Sequence, residues 1–461
     1  MDDAAAKSTS TPSSAEHLCV LVHGLWGNPE HLKNLSAALR ERYAEDKLHI
    51  FIPKRNAGSF TYDGIELGGE RVAHEIEEHL EELNKNGNNI KKISVIGYSL
   101  GGLISRYAIG LLYHRGLFDK IQPINFTTFA TPHLGVRTPL LGTHNHVWNV
   151  LGARTLSMSG RQLFTIDTFR DTGKPLLAVL ADPTSIFIRA LAAFKHRSLY
   201  ANVVNDRTVT YYTAGISQTD PFAKMDDLDI NYVKGYEPVI VDGDDPFTIK
   251  KRDVAPAFPQ RLSQNTRNFF GQIPFAVFLM VFLPIGSTVF LVNSAIQSVR
   301  SRQRIKLHEE GKAGVDFGGY RIPLLNKVRG EVEDLFENIN NTHEQEYLPN
   351  GSETMTSPTQ SPKITRTHSM PKTTSPPSDN DSDKDSLAEQ KRDKKPEIPT
   401  LALTPDQFAM VEALDNVGFQ KHPVYIHNVR HSHAAIIRRM NRSAFHEGFI
   451  VFRHWLDNFQ L

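Results

Sequence analysis

The chain has 461 residues, enough for one large domain with insertions or two smaller ones. A formal net charge of +1 gives no global argument for nucleic acid or an acidic partner. The single cysteine, Cys19, excludes an internal disulfide framework and points to a reducing compartment. It sits in an apolar run and reads as core.

Residues 1–15 are polar, rich in Ser, Thr and Ala, and are expected to be a disordered N-terminus. They lack the apolar core of a signal peptide, and Asp2 and Asp3 argue against a mitochondrial presequence, so the catalytic part is expected to stay cytosolic. Leu18–Val22 reads as a buried strand that runs into His23-Gly24-Leu25-Trp26-Gly27. Pro29–Tyr43 carries Leu32, Leu35, Ala38 and Leu39 on one helical face, and His49–Ile52 is a second short strand closed by Pro53. After a loop over Asn56–Gly64, residues Gly68–Leu83 turn Val72, Ile76, Leu80 and Leu83 inward as an acidic amphipathic helix.

Ile93, Val95 and Ile96 then form a short buried strand that ends in Gly97-Tyr98-Ser99-Leu100-Gly101-Gly102. Gly-x-Ser-x-Gly between a strand and a helical pattern (Leu103, Ile104, Tyr107, Ala108, Leu111, Leu112) is a sharp turn that lifts a serine hydroxyl above the sheet edge. Ile124–Ala130 is the next strand. Strands alternating with helices imply βαβ units, a mostly parallel central sheet, and a site at the strands' C-terminal ends.

Between Leu140 and Gly173 the pattern loosens into short helices expected over the site. Trp148, Leu151, Leu156, Met158, Leu163 and Phe164 read equally well as an acyl pocket or as ordinary core. Ser185–Phe194 is a buried helix and Leu199–Val204 a strand ending at Asn205-Asp206-Arg207. Later, Thr404-Pro405-Asp406-Gln407 starts a helix with Phe408, Val411, Leu414 and Val417 inward. A strand over Pro423–Ile426, a loop over Asn428–His433 and a closing helix over Ser443–Phe459 complete the pattern.

A serine hydroxyl needs a base to attack an ester, and the base needs an orienting carboxylate. With the elbow first, the acid follows and the histidine comes last. That order excludes His23 and disfavours His114, His133, His144 and His146. Asp206, in the turn after a buried strand, is the expected acid, with Asp182 as its rival. His433, heading the apolar run Ala434–Ile437, is the expected base, with His431 as its rival; His427 and His446 read as a strand and a helix residue. The backbone N–H groups of Leu25 and Leu100 are the expected oxyanion donors, and His23 is structural.

Phe269–Asn293 is an uncharged apolar run broken by Pro284 and Gly286 into two arms. Lys250, Lys251, Arg252, Arg261 and Arg267 precede it, and Arg300, Arg302, Arg304 and Lys306 follow. Positive charge on both sides keeps both ends cytosolic, which favours a hairpin dipping into a membrane or lipid monolayer over a single span. Residues 300–345 read as a surface helical segment, and 346–400, poor in large apolar residues, as a disordered linker. The expected organisation is a core over 16–260 joined by 401–461, with hairpin and linker inserted before the last strand.

The set His23-Gly24, Gly97–Gly102, Thr131-Pro132-His133-Leu134-Gly135, Asn205–Val209 and His433–Ile437 resembles the lipase-like serine esterase family, and within it the fungal lipid droplet phospholipases. The resemblance covers roughly residues 16–220 and the C-terminal segment. It implies an α/β-hydrolase with a Ser99–Asp206–His433 triad that hydrolyses acyl esters of glycerophospholipids without metal or organic cofactor. It also implies a place on the lipid droplet surface or the cytosolic face of the endoplasmic reticulum membrane. Tyr98 departs from the histidine commoner before the family serine, at a position that supplies no triad atom. A lipase of neutral acylglycerols and an inert droplet-surface protein are the alternative expectations.

Overall fold

The computed structural model describes residues 15–137, 157–250, 292–308, 347 and 398–461. Six strands form the central sheet: β1 (His17–Val22), β2 (His49–Phe51), β3 (Lys92–Tyr98), β4 (Gln122–Phe129), β5 (His196–Asn202) and β8 (Gln420–Val424). Their order is β2-β1-β3-β4-β5-β8, and every pairing is parallel. A separate antiparallel pair joins β6 (Leu228–Ile230) to β7 (Phe247–Ile249). Central strands β1, β3 and β4 are buried almost throughout, as a sheet covered on both faces requires.

One face of the sheet packs against α1 (Lys33–Arg42) and the closing helix Gly448–Asn458, where Leu35, Leu39, Phe452 and Trp455 meet Cys19, Leu21, Ile96 and Phe129. The other is covered by α2 (Ile65–Lys85) and α3 (Leu100–His114) and by the helices Ile186–Ala193 and Pro405–Val417. Thr404 caps the Pro405–Val417 helix: its hydroxyl accepts from the Gln407 N–H while the Gln407 side chain returns to the Thr404 N–H. Gln407 Nε2 also donates to Leu134 O at 3.1 Å, fastening this late helix to the loop after β4.

The last strand differs from the sequence expectation. It runs over Gln420–Val424, starting three residues earlier than Pro423–Ile426. Its polar first half is tolerated because Lys421 donates to Ile216 O and His422 packs on Tyr200 and His454. On its far side, Val241 N–H reaches Pro423 O at 2.9 Å, so the carbonyl row of the edge is partly covered. His427 accordingly lies beyond the strand, and His446 lies in the turn before the last helix.

The segment expected as a surface helix from residue 300 is helical over 292–308, with Ser301 and Arg304 buried, so it is docked rather than solvated. Of the apolar run Phe269–Asn293, all but the last two residues lie outside the described residues, as do 309–346 and all of 348–397. Tyr347 bridges Leu401, and Thr400 bridges Thr219. Among the described residues, no helix is long and apolar enough to cross a membrane. Trp148, Leu151 and Leu156 are also outside them, whereas Leu163 and Phe164 are core.

Three histidines, His17 and His454 buried and His422 half-buried, are held neutral. Burial pushes His17 and His454 down to about 4 and His422 to about 3. His17 Nε2 lies 2.8 Å from Ser94 Oγ, and His454 Nδ1 lies 2.9 Å from Tyr200 Oη. Once unfolded, each imidazole titrates at its ordinary value near 6.5. Above that pH neither state carries the charge; as pH falls below it the unfolded chain binds protons first, and stability is lost until the folded form itself protonates near pH 4. Denaturant unfolding is therefore expected to show a loss of about 1.4 kcal/mol per pH unit for each such histidine below pH ~6.5. A profile flat from pH 7 to pH 5 contradicts it.

Candidate active site

Ser99 sits between β3 and α3 with φ 55° and ψ −129°, the positive-φ conformation of a nucleophile elbow. The turn exists because its glycines let neighbouring backbone segments pass closer than any side chain would allow. A Cβ on Gly97 would stand 2.3 Å from Gly102 Cα, and one on Gly24 would stand 2.7 Å from Ser99 Cβ. Hydrogen bonds fix the strained residue: Ser99 N–H donates to Phe129 O at 2.9 Å, and Ser99 O accepts from Gly102 N–H and Thr131 Oγ1 at 3.0 Å each.

His433 reaches the same point from the other end of the chain. Its Nε2 lies 3.0 Å from Ser99 Oγ, and its Nδ1 lies 2.9 Å from Asp206 Oδ2. With the Asp206 carboxylate as acceptor, the proton sits on Nδ1 and the Nε2 lone pair faces the serine. All three side chains are largely buried. Asp206 is held in turn: Oδ2 accepts from Asn202 Nδ2 at 2.8 Å, and Oδ1 from the N–H groups of Thr208 and Val209 at 3.1 and 2.8 Å. These donors fix the carboxylate where it can orient the imidazole and balance an imidazolium.

The loop that carries His433 is tied to the loop that carries Asp206. Ser432 Oγ donates to Val204 O at 2.8 Å. Ala434, Ala435, Ile436 and Ile437 bury behind the histidine and anchor it. Tyr98, which supplies no triad atom, adds a contact that the sequence does not foretell. Its hydroxyl donates to His433 O at 3.0 Å, and its ring lies 5.1 Å from the imidazole. The spacing motif holds no signal for this, because the residue before the serine contributes only through a partner 335 positions away.

The rival residues are elsewhere. The Asp182 carboxylate caps Thr184 and pairs with Lys174, and those bonds, the Thr184 hydroxyl first, hold its pKa below the ordinary value. His431 sits at the N-cap of the short helix Ser432–Ala435, while His433 takes both triad contacts. His427 Nδ1 engages Glu447 at 3.0 Å, and His446 packs on Phe449. His23 Nδ1 lies 3.1 Å from Gly24 O, a contact within its own loop. His133 is buried against Thr128, and burial drives its pKa well below the ordinary value.

Leu25 follows Gly24, the residue packed on Ser99, and Leu100 opens α3; among the described residues neither N–H has a protein acceptor. The segment after Leu25 is braced from outside, where Trp26 N–H donates to Thr61 Oγ1 at 3.0 Å and Trp26 Nε1 to Tyr62 Oη at 2.7 Å. No group of three or more metal-ligating side chains occurs among the described residues. The arrangement could supply a nucleophile, a base, an orienting acid and two N–H donors, the parts that acyl transfer requires.

Asp206→Asn is expected to leave the fold intact and to lower turnover of a soluble ester by about 10³–10⁴-fold, because the wrong imidazole tautomer then faces Ser99. Tyr98→Phe is expected to lower kcat by about tenfold with KM unchanged, because it frees the backbone of the base without touching substrate. Equal kcat in Asp206→Asn and wild type would show that Asp206 serves only its own turn.

Residues 12–219 match the family described as Putative serine esterase (DUF676). Two Saccharomyces cerevisiae proteins are similar: "Putative lipase ROG1", 32% identical over 213 residues, and "Putative lipase YDL109C", 34% identical over 211. "Putative lipase C4A8.10" of Schizosaccharomyces pombe is 30% identical over 220 residues. The matches cover 45%, 44% and 45% of this chain but only 29%, 31% and 27% of those relatives. Among solved structures, a mutant form of the rice cell wall degrading esterase LipA from Xanthomonas oryzae aligns with 44% of this chain and 70% of its own. Its identity of 13% and TM-score of 0.27 are too slight to add to the strand order above. Residues 12–219, which hold the elbow and the acid, are thus the part of the chain that is similar to that serine esterase family.

Proposed function

We propose that this protein is a serine hydrolase that cleaves acyl esters of glycerophospholipids at a lipid surface through an acyl-enzyme. The observation that carries the reading is the unbroken chain Ser99 Oγ–His433–Asp206, with links of 3.0 and 2.9 Å. His433 Nε2 takes the Ser99 proton as Oγ attacks the ester carbonyl, and Asp206 balances the imidazolium that forms. The N–H groups of Leu25 and Leu100 receive the developing oxyanion, a contribution on the order of 10²–10³ in rate per donor. His433 then returns the proton to the departing alcohol, and water, activated by the same imidazole, releases the fatty acid. Every proton is carried by the imidazole.

The lipid-surface part rests on sequence. The apolar run Phe269–Asn293, flanked by basic residues, suits a hairpin in a droplet monolayer or the cytosolic leaflet of the endoplasmic reticulum, where both ends stay on one side. The yeast relatives are named as lipases, which favours a second reading, a lipase, whose substrates would be neutral acylglycerols.

Fatty acid release by the full-length protein is measured on phosphatidylcholine and on triacylglycerol emulsions of equal surface. Faster release from phosphatidylcholine is expected, with none from Ser99→Ala. Release from triacylglycerol alone supports the second reading. Deleting residues 275–291 is expected to lower the share of protein recovered with floated droplets; undiminished droplet binding removes the hairpin from the account.

A further inference from the structure

The helix 292–308 is amphipathic in the reverse sense. Its inner face is polar: Ser294, Gln297, Ser301 and Arg304, three, four and three residues apart, are buried. Arg304 Nε donates to Asp63 Oδ2 at 2.8 Å, and Nη2 donates to Asp63 Oδ1 at 2.6 Å and to Ser59 O at 3.0 Å. Arg71 Nη2 holds the same carboxylate at 2.7 Å, and both guanidinium groups lie over the Phe60 ring. At the lower end His308 meets Glu70 on α2. A buried carboxylate shared by two guanidinium groups fixes the helix firmly, since losing one partner strands a charge in the interior.

The outer face is apolar. Val292, Ile296 and Val299 are 56%, 45% and 56% exposed, and Leu307 is 37% exposed. At 100° per residue these four fall within one stripe, continued by Gln303. Arg302 and Lys306 border the stripe on one side and Arg300 on the other, and no acidic residue occurs between 292 and 308. Four large apolar side chains in one exposed stripe mark a contact surface. A basic rim on a helix that carries no acidic residue of its own suits one partner: an apolar layer beneath a plane of negative charge, as in a phospholipid surface. The apolar run 269–291 leads directly into the same helix.

We infer that helix 292–308 lies in the headgroup plane of an anionic phospholipid surface, with Val292, Ile296, Val299 and Leu307 among the acyl chains and Arg300, Arg302 and Lys306 at the phosphates. The inference deepens the lipid-surface part of the proposed function and does not depend on catalysis. It also gives the inner face a purpose. Asp63 closes the loop whose Thr61 and Tyr62 hold Trp26, two residues from the glycine packed on Ser99. A helix seated on lipid therefore fixes how the mouth of the site meets its substrate.

Cys19 is fully buried, so a thiol at Val299→Cys is labelled selectively on the full-length chain with an environment-sensitive nitrobenzoxadiazole dye. The Ser99→Ala background keeps the vesicles intact. With phosphatidylcholine–phosphatidylserine vesicles the emission is expected to shift to the blue, and with phosphatidylcholine alone to shift less. The same dye at Glu81→Cys, on exposed α2 surface, should not respond. Replacing Arg300, Arg302 and Lys306 by Gln is expected to weaken vesicle binding by about tenfold or more. Protein that floats with vesicles while the Val299 label stays unshifted would overturn the inference and leave the 269–291 run as sole anchor. Protein that floats with no vesicle would overturn it too, leaving the stripe to a protein partner. Either result leaves ester hydrolysis to be judged by fatty acid release.

Discussion

The site depends on how closely the backbone around Ser99 can pack. β3 enters the turn, α3 leaves it, and the loop after β1 passes beside it, at separations that leave no room for a Cβ at Gly97 or Gly24. That crowding holds Ser99 at a positive φ and points its hydroxyl out of the sheet edge. It also brings Leu25, next to Gly24, alongside the nucleophile. Strain at one residue is offset by bonds from Phe129, Thr131 and Gly102, each on a different part of the parallel sheet or its first helix turn.

The second constraint is topological. Ser99 and Asp206 lie in the first half of the chain, and His433 is more than two hundred residues beyond the acid. β8 closes that gap by pairing with β5, so that the loops after both strands emerge side by side and Ser432 can bond Val204. The polar character of β8 is acceptable at the sheet's edge, where Pro423 contributes only its carbonyl to Val241. Long insertions between β7 and β8 need only begin and end near this edge. The docked helix 292–308 shows that one of them also returns to the core, through Arg304 and Asp63.

Much of this was legible in the sequence because it is local. Gly97–Gly102 between an apolar run and a helical pattern announces the elbow, and chain order with turn position then favours Asp206 over Asp182 and His433 over His431. The parallel sheet follows from the alternation of strands and helices. What stayed hidden is non-local. The start of β8 escapes a reading by hydrophobicity because Gln420, Lys421 and His422 are polar and satisfied only by distant partners. The bond from Tyr98 to His433 and the burial of Arg304 on Asp63 link residues hundreds of positions apart, and no spacing rule reaches them. An arginine within a basic flank reads as solvated until its acid is seen.

The central claim is that Ser99, and no other group, is the nucleophile, poised by His433 and Asp206. It is tested most directly by treating the full-length protein with a fluorophosphonate and mapping the modified residue by peptide mass spectrometry. A stoichiometric adduct on Ser99 is predicted, lost in Ser99→Ala and strongly slowed in His433→Ala. A folded protein with no adduct, or with its adduct on another residue, would contradict the account.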